Sequence, residues 1–136
     1  MLKVVVLISG RGSNLKAIID KCSKKNVSAK VISIISNNSN ASGLKIRGKF
    51  KKIIINNQLS KKRFETELHN NLKRLKPDLI CLAGFMKILG PFITKKWKNK
   101  IINVHPSLLP AFKGLNTHER VLKSGKKKSG CTIHFV

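Results

Sequence analysis

The fold is decided at residues 3–14, which read KVVVLISGRGSN. The first half is a continuous run of β-branched and aliphatic side chains, a pattern typical of a strand that is covered on both faces of a parallel sheet. Two glycines follow closely, and apolar residues then recur at helical spacing, at Leu15, Ile18, Ile19 and Cys22. The stretch therefore predicts a strand, a tight glycine turn and a helix.

This order of elements favours anion binding. Glycines let the backbone approach a ligand closely, and the first turn of a helix offers unpaired N–H groups. The turn lacks the Gly-Lys-Ser/Thr of a Walker loop. Leu15 stands in place of the third glycine of a dinucleotide fingerprint, and the next strand ends without an acidic residue for a ribose diol. A single phosphomonoester, contacted by Ser13 or Asn14, therefore fits better than a dinucleotide, and a glycine turn without a ligand is the alternative.

The rest of the chain alternates strand-like and helix-like segments. Further strands are predicted at residues 30–35, 52–55, 79–83, 101–105 and 131–136. Helices are predicted after Ser60, around residues 92–97 and before Gly125, with a weaker helical pattern at 40–48. His69 lies off the apolar stripe of the helix after Ser60 and is predicted to be solvated. The pattern indicates one α/β domain with a mostly parallel sheet.

A second informative stretch, residues 101–110, reads IINVHPSLLP. Side chains alternate along a strand, so Asn103 and His105 lie on the same side, and Pro106 marks the end of the strand. Ligands of open α/β sheets bind at the carboxyl ends of strands. An amide N–H and a protonated imidazole N–H directed at one point stabilise an oxyanion, as acyl transfer requires. A polar strand end that satisfies its own hydrogen bonds is the alternative interpretation.

Composition is that of a globular protein. Apolar residues make up 41% of the 136 residues, and the longest apolar runs, such as residues 4–8, are far too short to cross a bilayer. The first residues lack the long apolar region of a secretory signal, so a cytoplasmic location and no membrane partner are expected. Cys22, Cys81 and Cys131 are odd in number and widely spaced, which argues against a disulfide framework or a metal site and favours buried thiols.

The charge is extreme, with 29 basic and 5 acidic residues and a formal net charge of +24. Proteins that read nucleic acids typically gather Arg and aromatic residues on one face. Here the lysines are scattered, Tyr is absent and aromatic residues are only 5%. We therefore favour a solvated, lysine-rich surface without a specific nucleic-acid partner, and a basic nucleic-acid-binding module is the alternative.

Several motifs agree in one resemblance. The glycine-rich opening at residues 6–15, VLISGRGSNL, resembles the amino-terminal signature of the phosphoribosylglycinamide formyltransferases, folate-dependent enzymes of purine biosynthesis. The same family has, in the same order, motifs similar to LAGFMKIL at 82–89, NVHPSLLP at 103–110, GLNTH at 114–118 and the final HFV. The motif at 103–110 also occurs in related formyltransferases and in formyltetrahydrofolate deformylase, but the glycine-rich opening favours the ribonucleotide enzyme. The resemblance implies a Rossmann-like formyltransferase fold with helices on both faces of the sheet.

The resemblance also implies roles for individual residues. It assigns the phosphate of glycinamide ribonucleotide to Gly12, Ser13 and Asn14. It assigns the pterin of the co-substrate 10-formyltetrahydrofolate to Met86, Lys87, Ile88 and Leu89, and the folate tail to Lys61. Asn103 is implied to hold the formyl oxygen of the folate, and His105 to be the catalytic imidazole. His118 and His134 are implied to lie behind these groups, and no metal is involved.

The chain departs from the family pattern in two ways. Asn116 replaces the first His of the family's Gly-Leu-His-Thr-His, and the catalytic Asp of the family lies a few residues past the position of Val136. We therefore expect residues 1–136 to form a single, incomplete amino-terminal formyltransferase domain with weak or no turnover. Rival interpretations are hydrolysis of formyltetrahydrofolate, a basic nucleic-acid-binding module and an inactive structural remnant. The sequence leaves open whether the chain forms a homo-oligomer.

Overall fold

The computed structural model describes residues 1–105, 108–128 and 130–136. Pro106, Ser107 and Ser129 lie outside this description, and with them the predicted end of a strand at Pro106. The strands are β1 Leu2–Ile8, β2 Ala29–Ser36, β3 Lys51–Ile54, β4 Leu79–Leu82, β5 Ile101–His105 and β6 Thr132–Phe135. The helices are α1 Ser13–Cys22, α2 Lys61–Leu75, α3 Pro91–Lys96 and α4 Thr117–Ser124, with a 3-10 helix at Ser42–Lys45 where a weak helical pattern was predicted.

The strands of the described residues form one sheet in the order β3-β2-β1-β4-β5-β6. All neighbouring pairs are parallel except β5 and β6, which are antiparallel, with Asn103 opposite His134 and His105 opposite Thr132. The predicted mostly parallel α/β sheet is therefore confirmed. Because β1, β4 and β5 are parallel neighbours, their carboxyl ends lie side by side at one edge of the sheet.

Helices cover both faces of the sheet, as the uninterrupted apolar run of β1 predicts. Val5 and Leu7 lie in one core cluster with Phe64, Leu68 and Leu72 of α2 and with α3. Val4, Val6 and Ile8 lie in a second cluster with Leu15 of α1 and the 3-10 helix. Residues 4–8 of β1 are at most 3% exposed. Burial of both faces explains why this strand shows no polar alternation.

Helix α2 begins and ends as its sequence predicts. Ser60 is the N-cap, and its side chain accepts a hydrogen bond from the backbone N–H of Arg63 at 3.3 Å. Phe64, Leu68 and Leu72 are buried on the side that faces the sheet. Lys76, with φ of +51°, takes the left-handed conformation that ends the helix just before Pro77.

The position of His69 differs from the prediction of a solvated residue. His69 is half-buried, and its Nδ1 accepts a hydrogen bond from Trp97 Nε1 at 3.1 Å. Its ring also meets the rings of Trp97 and Phe92 edge-on, at centroid distances of 6.0 and 5.6 Å. Burial lowers the pKa of His69 below its ordinary value of 6.5, and the charges of Lys96 and Lys73 lower it further. The contact could not be seen in the helical pattern of α2 because both partner rings come from residues 92–97, in α3 and directly after it.

The three cysteines are free, but only Cys81 is fully buried. Cys22 is half-buried and Cys131 is exposed, so the prediction of buried thiols is wrong for Cys131. Burial, with a smaller contribution from Cys22, raises the pKa of the Cys81 thiol to about 11, and burial also raises the pKa of Cys22. Across the part of the chain that is described, none of the helices has the length and apolar character needed to cross a membrane.

We expect the three thiols of the folded chain to react at very different rates. The thiolate is the reactive form, and with a pKa of about 11 only about one Cys81 in a thousand is ionised at pH 8. Iodoacetamide should therefore modify Cys131 first, Cys22 more slowly and Cys81 only after unfolding, as followed by mass spectrometry of peptides. Cys131→Ser should remove the fast phase. Rapid labelling of Cys81 in the native chain would contradict the packing of β4.

We also expect His69 to make stability fall in mild acid. Its folded pKa lies below that of the unfolded chain, so the unfolded chain takes up the proton first as the pH drops. The stability contributed by neutral His69 is complete above about pH 6.5 and is lost as the pH falls through that value toward the folded pKa. Urea unfolding followed by the fluorescence of Trp97, the single tryptophan, measures this. The difference in unfolding free energy between the wild type and His69→Gln should narrow below pH 6.5 and stay constant above it; a constant difference throughout would contradict the assignment.

Candidate functional site

Three segments that carry sequence motifs lie together at the carboxyl edge of the sheet. They are the glycine-rich loop after β1, the segment at residues 84–89 after β4, and the end of β5 that carries Asn103 and His105. Strand order brings them together, because β4 lies between β1 and β5. An open α/β sheet binds its ligands at this edge.

The glycine-rich loop leads directly into α1. Gly12 is the N-cap in the left-handed conformation, with φ of +75°, and no side chain caps the helix. The first intrahelical bond runs from Lys16 N to Gly12 O at 2.9 Å, so the N–H groups of Ser13, Asn14 and Leu15 have no partner within the helix. Ser13 and Asn14 are exposed. The loop thus presents free backbone donors at the positive end of a helix, which suits a phosphate.

A close contact with the 3-10 helix fixes the shape of this loop. Gly43 N donates to Gly10 O at 3.1 Å, and the Cα atoms of Gly12 and Gly43 face each other. A Cβ on Gly12 would lie 2.9 Å from Gly43 Cα, and one on Gly43 would lie 2.7 Å from Ile8 Cδ1. Both positions therefore require glycine for space, and Gly12 also for its positive φ.

The segment after β4 alternates between the core and the surface. Phe85 and Leu89 pack against the core, whereas Met86 and Ile88 are 61% and 74% exposed. Because the segment follows a strand at the carboxyl edge of the sheet, these two exposed side chains are available to contact a ligand. The sequence of this segment alone is also consistent with core packing, and the structure assigns that role only to the two half-buried members, Phe85 and Leu89.

Lys61 of α2 meets the segment after β4 at a small cavity of about 120 Å³. Lys87, Ile88 and Leu89 line the same cavity, together with Phe64 and Glu65. The Nζ atom of Lys87 lies 4.7 Å from the centre of the Phe64 ring, a cation-π contact. Of the predicted folate-contacting residues, four therefore come together here. Met86 lies apart from them, at the rim of a more open cleft of about 760 Å³ lined mainly by amide and hydroxyl side chains.

Asn103 faces His134 across the antiparallel pair of strands. The distance from Asn103 Nδ2 to His134 Nε2 is 3.4 Å, and His134 Nδ1 lies 3.1 Å from the carbonyl oxygen of Phe135. A carbonyl oxygen only accepts, so His134 carries its proton on Nδ1, and its Nε2 accepts from the Asn103 amide. An amide nitrogen has two N–H groups, and one of them remains for a ligand.

His105 is only 8% exposed and has a different partner. Its Nε2 lies 2.7 Å from the carbonyl oxygen of Phe112, so Nε2 carries a proton and donates. The same carbonyl oxygen accepts from Thr117 Oγ1 at 3.5 Å. Asn103 and His105 therefore share one face of β5 but bond to separate groups. His118 is exposed in the first turn of α4, after Asn116, which takes a left-handed conformation at the N-cap.

The sequence did not identify three residues that shape this site. Gly43 lies in a weak helical pattern, and its contact with the loop becomes visible only in three dimensions. Phe112 contributes a backbone carbonyl, which no side-chain motif can reveal. Thr117 is 4% exposed and bonds to Gly114 O at 3.1 Å, and its signals in the sequence are its place in the motif at 114–118 and before a helical pattern. Within the described ranges, no group of three or more His, Cys, Asp or Glu residues is arranged to hold a metal ion.

Fold and site together define a formyltransferase-type α/β protein, and comparison with known families agrees. The family model described as formyl transferase matches residues 2–136. The chain belongs to this formyl transferase family, and the resemblance inferred from the motifs is confirmed.

The similar proteins are named as phosphoribosylglycinamide formyltransferases or as trifunctional purine biosynthetic proteins. The chain is 43% identical to phosphoribosylglycinamide formyltransferase of Haemophilus influenzae in an alignment of 141 positions that covers 100% of this chain and 66% of that protein. It is 47% identical to the trifunctional purine biosynthetic protein adenosine-3 of Bos taurus in an alignment of 139 positions that covers 98% of this chain and 14% of that protein. The solved structure of glycinamide ribonucleotide transformylase 1 from Symbiobacterium toebii matches with a TM-score of 0.94 and 38% identity, covering 100% of this chain and 66% of that one. The chain thus spans about two thirds of the bacterial relatives and a small part of the trifunctional ones.

We expect Gly43→Ala to weaken phosphate binding at the loop. The added Cβ would contact Ile8 Cδ1 at 2.7 Å and Gly12 Cα at 3.2 Å, so the glycine-rich loop and the 3-10 helix must move apart. Affinity for ribose 5-phosphate, measured by calorimetry, should fall about tenfold or more, since the displaced N–H groups no longer converge on the anion. Ser42→Ala, at an exposed neighbour on the same 3-10 helix, is the control and should bind as the wild type does. Unchanged affinity in Gly43→Ala, with a melting curve that shows it folded, would argue against a phosphate site in this loop.

Proposed function

We propose that the chain carries the site for formyl transfer from 10-formyltetrahydrofolate to the amino group of glycinamide ribonucleotide. One observation carries the proposal. The glycine-rich loop, the segment at 84–89 and the pair Asn103 and His105 follow three adjacent strands and share one edge of the sheet. A phosphate-bearing acceptor, a flat apolar donor and an oxyanion site are the three parts that this reaction needs. The names of relatives 38–47% identical to this chain support the same reaction.

The ribonucleotide is bound through its phosphate. Gly12, Ser13 and Asn14 present backbone N–H groups at the start of α1, and the helix dipole favours negative charge at that point. The scarcity of acidic residues leaves the approach to the loop free of repulsion, and Arg11 is exposed beside it. The amino group of the substrate then extends toward the ends of β4 and β5.

The folate lies along the segment after β4. Met86 and Ile88 offer exposed apolar contacts for the pterin, and Lys87 stands beside the cavity that Leu89 lines. Lys61 supplies a cation on the α2 side of the same cavity, where a carboxylate on the folate tail would be neutralised. This assignment uses the residues that the family resemblance named for the pterin and the folate tail.

The transfer step forms one C–N bond and breaks another. The amine nitrogen attacks the formyl carbon, negative charge grows on the formyl oxygen, and the bond from that carbon to the folate nitrogen then breaks. The proton lost by the amine is finally carried by the folate nitrogen. The free N–H of Asn103 donates to the formyl oxygen. A protonated His105 has a second N–H at Nδ1, which donates to the same oxygen while Nε2 keeps its bond to Phe112 O.

In a complete formyltransferase that contains residues 1–136, we expect Asn103→Ala and His105→Ala each to slow formyl transfer about a hundredfold or more, because loss of one oxyanion donor typically has this effect. Transfer is followed by absorbance at saturating substrates. Affinity for glycinamide ribonucleotide, measured by calorimetry, should stay within about threefold, since neither side chain belongs to the phosphate loop. Asn70→Ala, at an exposed position on α2, is the control and should keep the wild-type rate. Wild-type turnover in either site variant, or a wild-type chain that binds neither substrate, would refute the proposal.

The same assays separate the rival functions. Release of formate at full rate without glycinamide ribonucleotide would favour a hydrolase. The net charge of +24 favours some binding to nucleic acid at low salt. Duplex DNA that binds equally well to wild type and His105→Ala, together with no binding of folate, would favour a basic nucleic-acid-binding module instead.

A further inference from the structure

Ser9 connects two parts of the candidate site. It follows β1 directly and precedes the glycine-rich loop. Its backbone N–H donates to Gly84 O at 3.2 Å, and its carbonyl oxygen accepts from Asn38 Nδ2 at 3.2 Å. Its side-chain Oγ accepts from the backbone N–H of Met86 at 2.8 Å. Ser9 is therefore bonded to both Gly84 and Met86, at the start of the segment at 84–89.

The hydrogen bonds around Ser9 have only one possible direction. Met86 N–H can only donate, so the Ser9 hydroxyl accepts there, and its own proton points to Asn37 Oδ1 at 2.6 Å. That bond fixes the orientation of the Asn37 amide, whose Nδ2 donates to Asn57 Oδ1 at 3.1 Å. Asn37 is 8% exposed, and aligned bonds of this kind strengthen one another where water is excluded.

The segment at 84–89 needs such a support because much of it is exposed. Gly84 has φ of +68°, so the chain turns sharply away from β4 there. Met86 is 61% exposed and has few neighbours that could fix it through packing. The bond from Met86 N–H to Ser9 Oγ ties this part of the backbone to the end of β1.

We propose that Ser9, oriented by Asn37, is a positioning residue that holds the folate-contacting segment in register with the phosphate loop. The inference rests on the proposed function for the identity of the ligand. The backbone and the side-chain hydroxyl of Ser9 have separable effects. Its backbone bonds to Gly84 and Asn38 do not need the hydroxyl, whereas the bonds to Met86 and Asn37 do. Removal of the hydroxyl should therefore loosen the folate side and leave the phosphate loop in place.

The test compares the affinity of two ligands in Ser9→Ala. We expect the Kd for 5-formyltetrahydrofolate, a stable folate probe, to rise about tenfold, and the Kd for ribose 5-phosphate to change less than about twofold. Ser39→Ala, at an exposed serine that lines the same open cleft of about 760 Å³ as Ser9, is the control and should change neither Kd. A purely structural role for Ser9 would lower the melting temperature without this split. Wild-type folate affinity in Ser9→Ala, or equal loss of both ligands, would overturn the inference.

Two further measurements keep the test decisive. Asn57→Ala removes Asn57 Oδ1, which accepts the hydrogen bond from Asn37 Nδ2. Because Asn57 is exposed, this variant should fold even if Ser9→Ala does not. It should weaken folate binding about threefold and leave phosphate binding unchanged. Hydrogen exchange of the Met86 amide, which needs no ligand, should be at least about tenfold faster in Ser9→Ala or Asn57→Ala than in the wild type. Unchanged exchange would overturn the inference. A wild-type chain that binds neither probe would instead refute the proposed function. Hydrogen exchange of the Met86 amide would still test whether the Ser9 hydroxyl holds this segment.

Discussion

The candidate site depends on the burial of β1 in the middle of the sheet. Residues 4–8 are covered on both faces, and β1 pairs in parallel with β2 on one side and β4 on the other. The amino end of the strand is exposed at Leu2, and its buried carboxyl half leads directly into the glycine-rich loop. The glycine-rich loop, the hydroxyl of Ser9 and the turn at Gly84 all gather there. Fixing this one strand therefore fixes the relative position of the phosphate loop and the segment that follows β4.

Sequence reasoning predicted those features that leave a local pattern. The β-branched run of β1, the glycine turn and the Ser60 cap of α2 each follow from the residues at that point in the chain. Features that join distant segments were not predictable. The contact of Gly43 with Gly12 links the 3-10 helix to the loop, and the bond from Trp97 to His69 links α3 to α2. Neither contact imposes a periodicity on the sequence, so only the folded chain reveals it.

The unusual charge has a structural counterpart in how the few carboxylates are used. Asp78 Oδ2 accepts from the backbone N–H of Lys3 at 2.8 Å, just before β4. Glu65 is 4% exposed, and its Oε2 accepts from Gly90 N at 3.3 Å, at the start of α3. Both carboxylates thus satisfy backbone donors that begin an element of structure. With 5 acidic residues against 29 basic ones, most lysines have no carboxylate to pair with, and solvation of their side chains is the simplest account of the surface.

The arrangement at the end of β5 fits a role in stabilising a developing negative charge. His134 accepts one N–H of Asn103, which leaves the second amide N–H free, and Phe112 accepts the Nε2 proton of His105, which leaves Nδ1 as a further donor when the imidazole is protonated. A donor that is already oriented does not need to reorganise when the charge appears, and this is the main source of its effect on rate. A polar strand end and an oxyanion site look alike in sequence, because both place Asn and His at alternating positions. An oxyanion site differs in that N–H donors remain unpaired after the internal hydrogen bonds are made.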